Sequence, residues 1–264
     1  MAEMFAFANA YNNLMGRWST HLAPLFVNFA RVRDGGRVLD VGCGTGSLVQ
    51  AVADVARSSE IVGIDPSGPF IEYCRQRFSD PRITFDCGDG MKLPYPDGYF
   101  DQAVSLLVLQ FIPQPEKAAR EMLRVTRPGR TVAAATWDSV NMELNEIFWG
   151  EASKLDASAQ ARGKNSLHCN RKGQLVELWR AVGFEDAEET ALQIQTDFTS
   201  FDDYWLPFTA GAGPQGVYVA SLLSEQRDAL RDGLRRRLLG DRPDGLFSLR
   251  ARALAVRGTV PKVQ

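Results

Sequence analysis

The chain has 264 residues, 45% of them apolar, and a formal net charge of −2, which suffices for one large α/β core and argues against nonspecific nucleic-acid binding. No apolar stretch reaches the roughly 18 residues that cross a bilayer, and the first residues lack the basic start and long apolar core of a secretion signal. The four cysteines, Cys43, Cys74, Cys87 and Cys169, are scattered without a Cys-x-x-Cys pair, so neither a metal centre nor a disulfide framework is expected, and the expected compartment is a reducing cytoplasm.

In chain order, the residues before 30 are a candidate lid. Strands are expected at Arg37–Val41, Ile61–Asp65, Ile83–Asp86, Phe100–Leu106 and Thr131–Trp137. They alternate with helical patterns, the βαβ signature of a mostly parallel sheet. Leu48, Val49, Val52, Ala53 and Ala56 recur at helical spacing behind the first strand. Pro115 opens a helix over Glu116–Val125, and "RPGR" (Arg127 to Arg130) turns the chain into the fifth strand.

Beyond Trp137 the alternation breaks. Helices are expected near Glu143–Leu155 and over Lys172–Ala181, with a sixth strand around Glu188–Ile194. An aromatic, glycine-rich stretch (Phe198 to Gly216) and an Arg-rich helical stretch follow, and a last, antiparallel strand is expected near Ser248–Arg257. The expected architecture is one α/β domain built on a doubly wound, seven-stranded sheet with its last strand antiparallel. Residues 31–137 would bind the ligand, 138–170 and 197–240 would be inserted helical caps, 1–30 the lid, and 171–196 and 241–264 would complete the core.

The first strand runs into "VLDVGCGTG", Val38 to Gly46, with glycines at alternate positions. Glycine reaches backbone angles closed to other residues, and a strand–glycine turn–helix aims backbone N–H groups at a ligand. Counted from Gly42, the last glycine of a dinucleotide fingerprint would fall on Ser47, and a phosphate-binding P-loop needs a lysine that is absent. The spacing is instead Asp40-x-Gly42-x-Gly44-x-Gly46. "GIDPS" then places Asp65 at the end of the second strand, where a carboxylate suits the two hydroxyls of a ribose. "CGDG" places Asp89 at the same edge ahead of Met91, a pair that suits an adenine ring. Asp89 before Gly90 also suits a plain turn, and Met91 also suits a core gap. Ser105 and Leu106, at the far end of the fourth strand, lie opposite the glycine turn.

These motifs resemble those of class I S-adenosylmethionine-dependent methyltransferases, in the branch of small-molecule enzymes similar to the ubiquinone/menaquinone-biosynthesis methyltransferases. "VLDVGCGTG", "GIDPS", "GDGMKLPYPDGYFD" and "LRVTRPGR" carry the resemblance across most of residues 11–137, and "YNNLMGRWSTHLAPLF" resembles an N-terminal lid of bacterial members. The resemblance implies a Rossmann-like fold, S-adenosyl-L-methionine as cofactor and a small-molecule acceptor, with neither nucleic acid nor membrane as partner. It implies that Gly42, Cys43, Gly44, Thr45 and Gly46 cradle the methionine part and that Asp40 helps hold its ammonium. Asp65, with Pro66 and Ser67, would bind the ribose, Asp89, Gly90 and Met91 would frame the adenine, and Ser105 and Leu106 would face the sulfonium.

Arg17 and Trp18 are candidates to close over the cofactor carboxylate and methyl group. Many relatives have a His where this chain has Gln110, so no catalytic base is assigned. His168, Tyr11 and His21 are the candidates should one act. Tyr204, Trp205 and Phe208 are candidate walls of an apolar pocket, and Arg227, Arg231 and Arg235 read as a solvated, ion-paired helix face. The rival readings are an RNA or protein methyltransferase and a non-catalytic S-adenosylmethionine-binding module.

Overall fold

A computed structural model describes residues 16–159, 168–211 and 213–262. Its elements, in chain order, are α1 (Arg17–Phe29), β1 (Arg37–Val41), α2 (Ser47–Val55), β2 (Glu60–Asp65), α3 (Gly68–Arg77), β3 (Ile83–Cys87), β4 (Phe100–Leu106), α4 (Pro115–Val125), β5 (Thr126–Met142), α5 (Glu143–Leu155), α6 (Gln174–Val182), β6 (Glu185–Phe198), α7 (Phe201–Thr209), α8 (Gly213–Ala220), α9 (Ser224–Leu239) and β7 (Phe247–Thr259). The sheet order is β3-β2-β1-β4-β5-β7-β6. The first five strands are parallel, and β7 runs antiparallel between β5 and β6. This is the expected seven-stranded Rossmann-like sheet.

Strand alternation divides the core between two faces. Val38, Val104, Ala133, Ala135 and Trp137 pack with α1, α2 and α3. Leu39, Val41, Val132 and Ala134 pack with α4 and α6 on the other side. Asp40, two residues after Val38, therefore points to the α1 face. The fifth and sixth strands are longer than their apolar runs suggested: β6 pairs with β7 from Glu185 to Phe198, and the ends of β5 pair through Thr126 with β4 and through Met142 with β7. Polar side chains on that hairpin face solvent while its backbone pairing continues, a register that hydrophobic pattern alone understates. The hairpin ends with Phe198 stacked on Phe247 at 5.2 Å, and α7, α8 and α9 leave from that platform.

Amphipathic α1 buries Trp18, Leu22, Ala23, Phe26 and Val27. Gln102 Nε2 donates to the Ala30 carbonyl at 2.8 Å and Arg257 to the Phe29 carbonyl at 2.6 Å, so its C-terminal end is pinned to the sheet. No described helix is long and apolar enough to cross a membrane.

Candidate functional site

The glycine turn sits at the carboxyl edge of the sheet. Gly42 and Cys43 donate backbone N–H bonds to the Ile64 carbonyl at 2.7 and 3.0 Å, clasping β1 to β2. Gly42, Gly44 and Gly46 all have positive φ (77°, 52° and 84°). A Cβ on Gly42 would lie 2.4 Å from Val108 and one on Gly46 2.6 Å from Phe78, whereas one on Gly44 would meet nothing within 4 Å. Gly44 thus faces open space, in a cavity lined by Ser19, Asp40, Thr45, Leu106 and Val108 among others. Gly44→Ala is expected to cost about 1–2 kcal/mol of stability from backbone strain alone, yet to weaken ligand binding further. Gly42→Ala, which adds the clash with Val108, should destabilise more. Thermal melts set beside calorimetric titration read both effects, and a Gly44→Ala protein that binds as the parent does would show that Gly44 does not face the ligand.

Both acids nearest the turn are buried. Asp40 is 1% exposed, and neither of its carboxylate oxygens has a hydrogen-bond partner among the described residues. Burial drives its pKa well above the ordinary value, and the neighbouring Asp65 charge pushes it the same way. An unpaired buried charge is costly, so this site calls for a cation. Asp65 accepts from the N–H of Gly44 at 3.0 Å and of Ser67 at 2.9 Å. Burial raises its pKa and those two donors partly oppose the rise. Asp65 therefore splints the glycine turn to the start of α3, whose Cys74 thiol donates to the Gly44 carbonyl at 3.2 Å. The N-cap of α2, Gly46, has no side-chain cap, which leaves first-turn N–H groups for an anionic ligand.

Farther along the edge, Asp89 is exposed and accepts from the Met91 N–H at 2.8 Å, a local turn, while Gly90 is buried and Met91 half-buried. Pro66 is exposed, and its carbonyl accepts from Cys87. Ser105 is fully buried and spends its hydroxyl on the Val41 carbonyl at 2.8 Å, so only its main chain remains for a ligand. Sequence reasoning passed over Leu107 and singled out Gln110 only for the His it replaces. Leu107 has φ 65°, a left-handed conformation that L-residues reach only under strain, and such strain collects at functional sites. Gln110 is 1% exposed: its Oε1 accepts from the Trp137 backbone N–H at 2.7 Å and its Nε2 has no partner among the described residues. The available hint was that the expected fifth strand ended at Trp137, although β5 runs on to Met142.

Arg17 is paired with α7. It makes two bonds to Asp203 of α7, at 2.7 and 3.1 Å, and lies over Phe198 at 5.0 Å. Trp18 is buried edge-on against Trp137 at 6.3 Å. His21 is exposed against the Gln195 carbonyl at 3.2 Å, and His168 is exposed, with its backbone N–H on the Gln110 carbonyl at 2.9 Å. Tyr11 lies outside the described residues. Tyr204, Trp205 and Phe208 are buried on α7. Arg231 reaches Asp202 at 3.1 Å, away from the acids of its own helix. Among the described residues no group of three or more His, Cys, Asp or Glu is placed to hold a metal.

A family profile described as "Methyltransferase domain" matches residues 39–134. The chain is similar to the demethylmenaquinone methyltransferase of Symbiobacterium thermophilum, 32% identical over 212 residues, covering 71% of this chain and 84% of that protein. It is similar to the 27-O-demethylrifamycin SV methyltransferase of Amycolatopsis mediterranei, 34% identical over 119 residues, which cover 44% of this chain and only 43% of that relative's length. Among solved structures it resembles phosphoethanolamine N-methyltransferase 2 of Haemonchus contortus, in complex with S-adenosylhomocysteine, with a TM-score of 0.59 and 18% identity over 97% of this chain and 57% of the other.

Proposed function

This chain belongs to the class I S-adenosylmethionine-dependent methyltransferases, and from that premise we propose that it methylates a small molecule by in-line displacement in a pocket roofed by α1 and α7. When bound, S-adenosylmethionine supplies an electrophilic methyl group on a sulfonium, a good leaving group. The chain's own residues then have three tasks: hold that cofactor, orient the acceptor and exclude water.

Asp40 carries the proposal. Its unpaired buried carboxylate fits an ammonium, and Gly44, open on its ligand side, fits the close approach of the methionine part. First-turn N–H groups of α2 would receive the carboxylate end. Asp65, already holding the turn, keeps lone pairs for the ribose hydroxyls, and Asp89 with Met91 would frame the adenine. The cavity beside Asp40 measures about 40 Å³, whereas ligand pockets hold about 300–1,000 Å³. The larger volume would come from the first turn of α1 standing farther from the sheet when ligands are held. α1 is pinned to the sheet at its C-terminal end, and at its other end the Arg17 link to Asp203 would hold the roof over the acceptor.

A small acceptor is supported by the near-neutral charge, the aromatic interior under α7 and the quinone-type relative. Transfer of the labelled methyl group from S-adenosylmethionine to a pool of metabolites, read by mass spectrometry, tests it. The expected result is a labelled small product; labelled RNA or protein, or no binding of S-adenosylhomocysteine, would overturn it.

A further inference from the structure

Several buried polar atoms without a partner among the described residues lie close together. Besides Asp40, the buried atoms without a hydrogen-bond partner among the described residues include Gln110 Nε2, Trp137 Nε1, Trp18 Nε1 and the Tyr204 hydroxyl. None of these four side chains is more than 4% exposed. They are joined by contact. Gln110 is bonded to the Trp137 backbone at 2.7 Å, and the Trp137 ring meets Trp18 at 6.3 Å. Trp18 packs on Phe198 at 6.1 Å, and Phe198 on Tyr204 at 5.6 Å. Gln110 follows β4 and Trp137 lies on β5, while Trp18 comes from α1 and Tyr204 from α7. Ser19, next in sequence to Trp18, and Val108, two residues before Gln110, line the cavity beside Asp40. Native proteins leave few buried polar groups unpaired, and four in one aromatic patch ask for a ligand.

Their chemistry has one sign. Indole N–H and amide NH2 groups donate and do not accept. The Gln110 amide cannot turn over without setting its NH2 against the Trp137 N–H and losing that bond, so its donor end is fixed. Only the Tyr204 hydroxyl could accept as well, and burial drives its pKa far up, which keeps it protonated. The walls between the donors are flat rings.

We propose that Gln110, Trp137, Trp18 and Tyr204 form the acceptor-recognition edge of the methyl-transfer pocket, selecting a planar molecule that presents carbonyl or anionic oxygens over one that presents an amine. An ammonium or amine N–H facing this edge would meet donors only, and would lose its water without replacement. Oxygens would pair every donor at once. The inference rests on the methyltransferase reading and deepens it.

The test saturates the full chain with S-adenosylhomocysteine and titrates it calorimetrically with 4-nitrophenolate and with 4-nitrobenzylamine, similar rings bearing an oxyanion or an ammonium. The phenolate should bind at least about tenfold tighter. Gln110→Leu and Trp137→Phe should each weaken it by about tenfold while leaving the affinity for S-adenosylhomocysteine unchanged. Tyr204→Phe should weaken the phenolate too. Because it deletes an unpaired buried hydroxyl, it should also raise the melting temperature of the unliganded protein by about 2–4 °C. A purely structural tyrosine would melt lower. Equal binding of the two rings, binding of neither, affinities untouched by the variants, or a Tyr204→Phe protein that melts lower would each overturn the proposal. Failure of S-adenosylhomocysteine itself to bind would remove the methyltransferase reading first, and the cofactor titration reports that separately.

Discussion

Asp40→Asn is expected to abolish most of the protein's grip on S-adenosylhomocysteine and to leave the unliganded protein at least as stable as before. Those two effects seldom go together. The carboxylate is buried and unpaired among the described residues, so the folded protein bears its desolvation without return until a cation arrives. Removing one partner of a buried charged pair costs about 2–5 kcal/mol of binding. The pH dependence has a definite sign. Asp40's folded pKa is raised above 3.8, so its contribution to stability is full below that value and is lost as pH rises through the raised pKa. The stability advantage of the Asn variant should therefore shrink as pH falls toward 3.8. Affinity for the cofactor runs the other way: in the parent protein it drops as Asp40 becomes protonated, and in the variant that step is missing. Calorimetry across pH, paired with denaturant melts, reads both. A variant that binds normally would show that the ammonium goes elsewhere.

The second large effect is expected at Asp65. A strand-end carboxylate serving only a ribose would be removable without structural cost, but here it also holds the N–H groups of Gly44 and Ser67. Each hydrogen bond to a charged group is worth about 1.5–3 kcal/mol. Asp65→Ala should therefore lower stability and cofactor affinity together, by several kcal/mol in the binding measurement, as the glycine turn loses its splint. Asp65→Asn retains one acceptor oxygen and should fall between. Measured affinities that do not rank parent above Asn above Ala would remove Asp65 from both roles.

Much of the candidate site was legible because its residues are neighbours in sequence. Asp40, Gly42, Gly44 and Gly46 fall within seven positions, and three positive φ angles in one short turn leave glycine little competition. Asp65 and Asp89 close the next two strands, and a parallel sheet with right-handed crossovers brings successive strand ends to one edge. The strands themselves followed from apolar runs. The far extensions of β5 and β6 did not, since their added residues are held by backbone pairing that carries no apolar signature.

Arg17 shows where such reading stops. Its sequence neighbourhood suggested a ligand carboxylate, yet its partner Asp203 is 186 residues away and appears only once α7 folds back over α1. Gln110 is similar: nothing in "VLQFI" announces that one end of its amide is fixed by Trp137 while the other is left bare.

By itself, then, the sequence determined the alternation of strands and helices, the glycine turn and the acids that end β2 and β3, because each is set by local backbone sterics and by period-two or helical burial. Only the tertiary structure decided which polar atoms go unpaired. Asp40, Gln110, Trp18, Trp137 and Tyr204 become costly, and hence informative, through burial beneath elements distant in the chain, and burial is a property of packing that no short stretch of residues encodes.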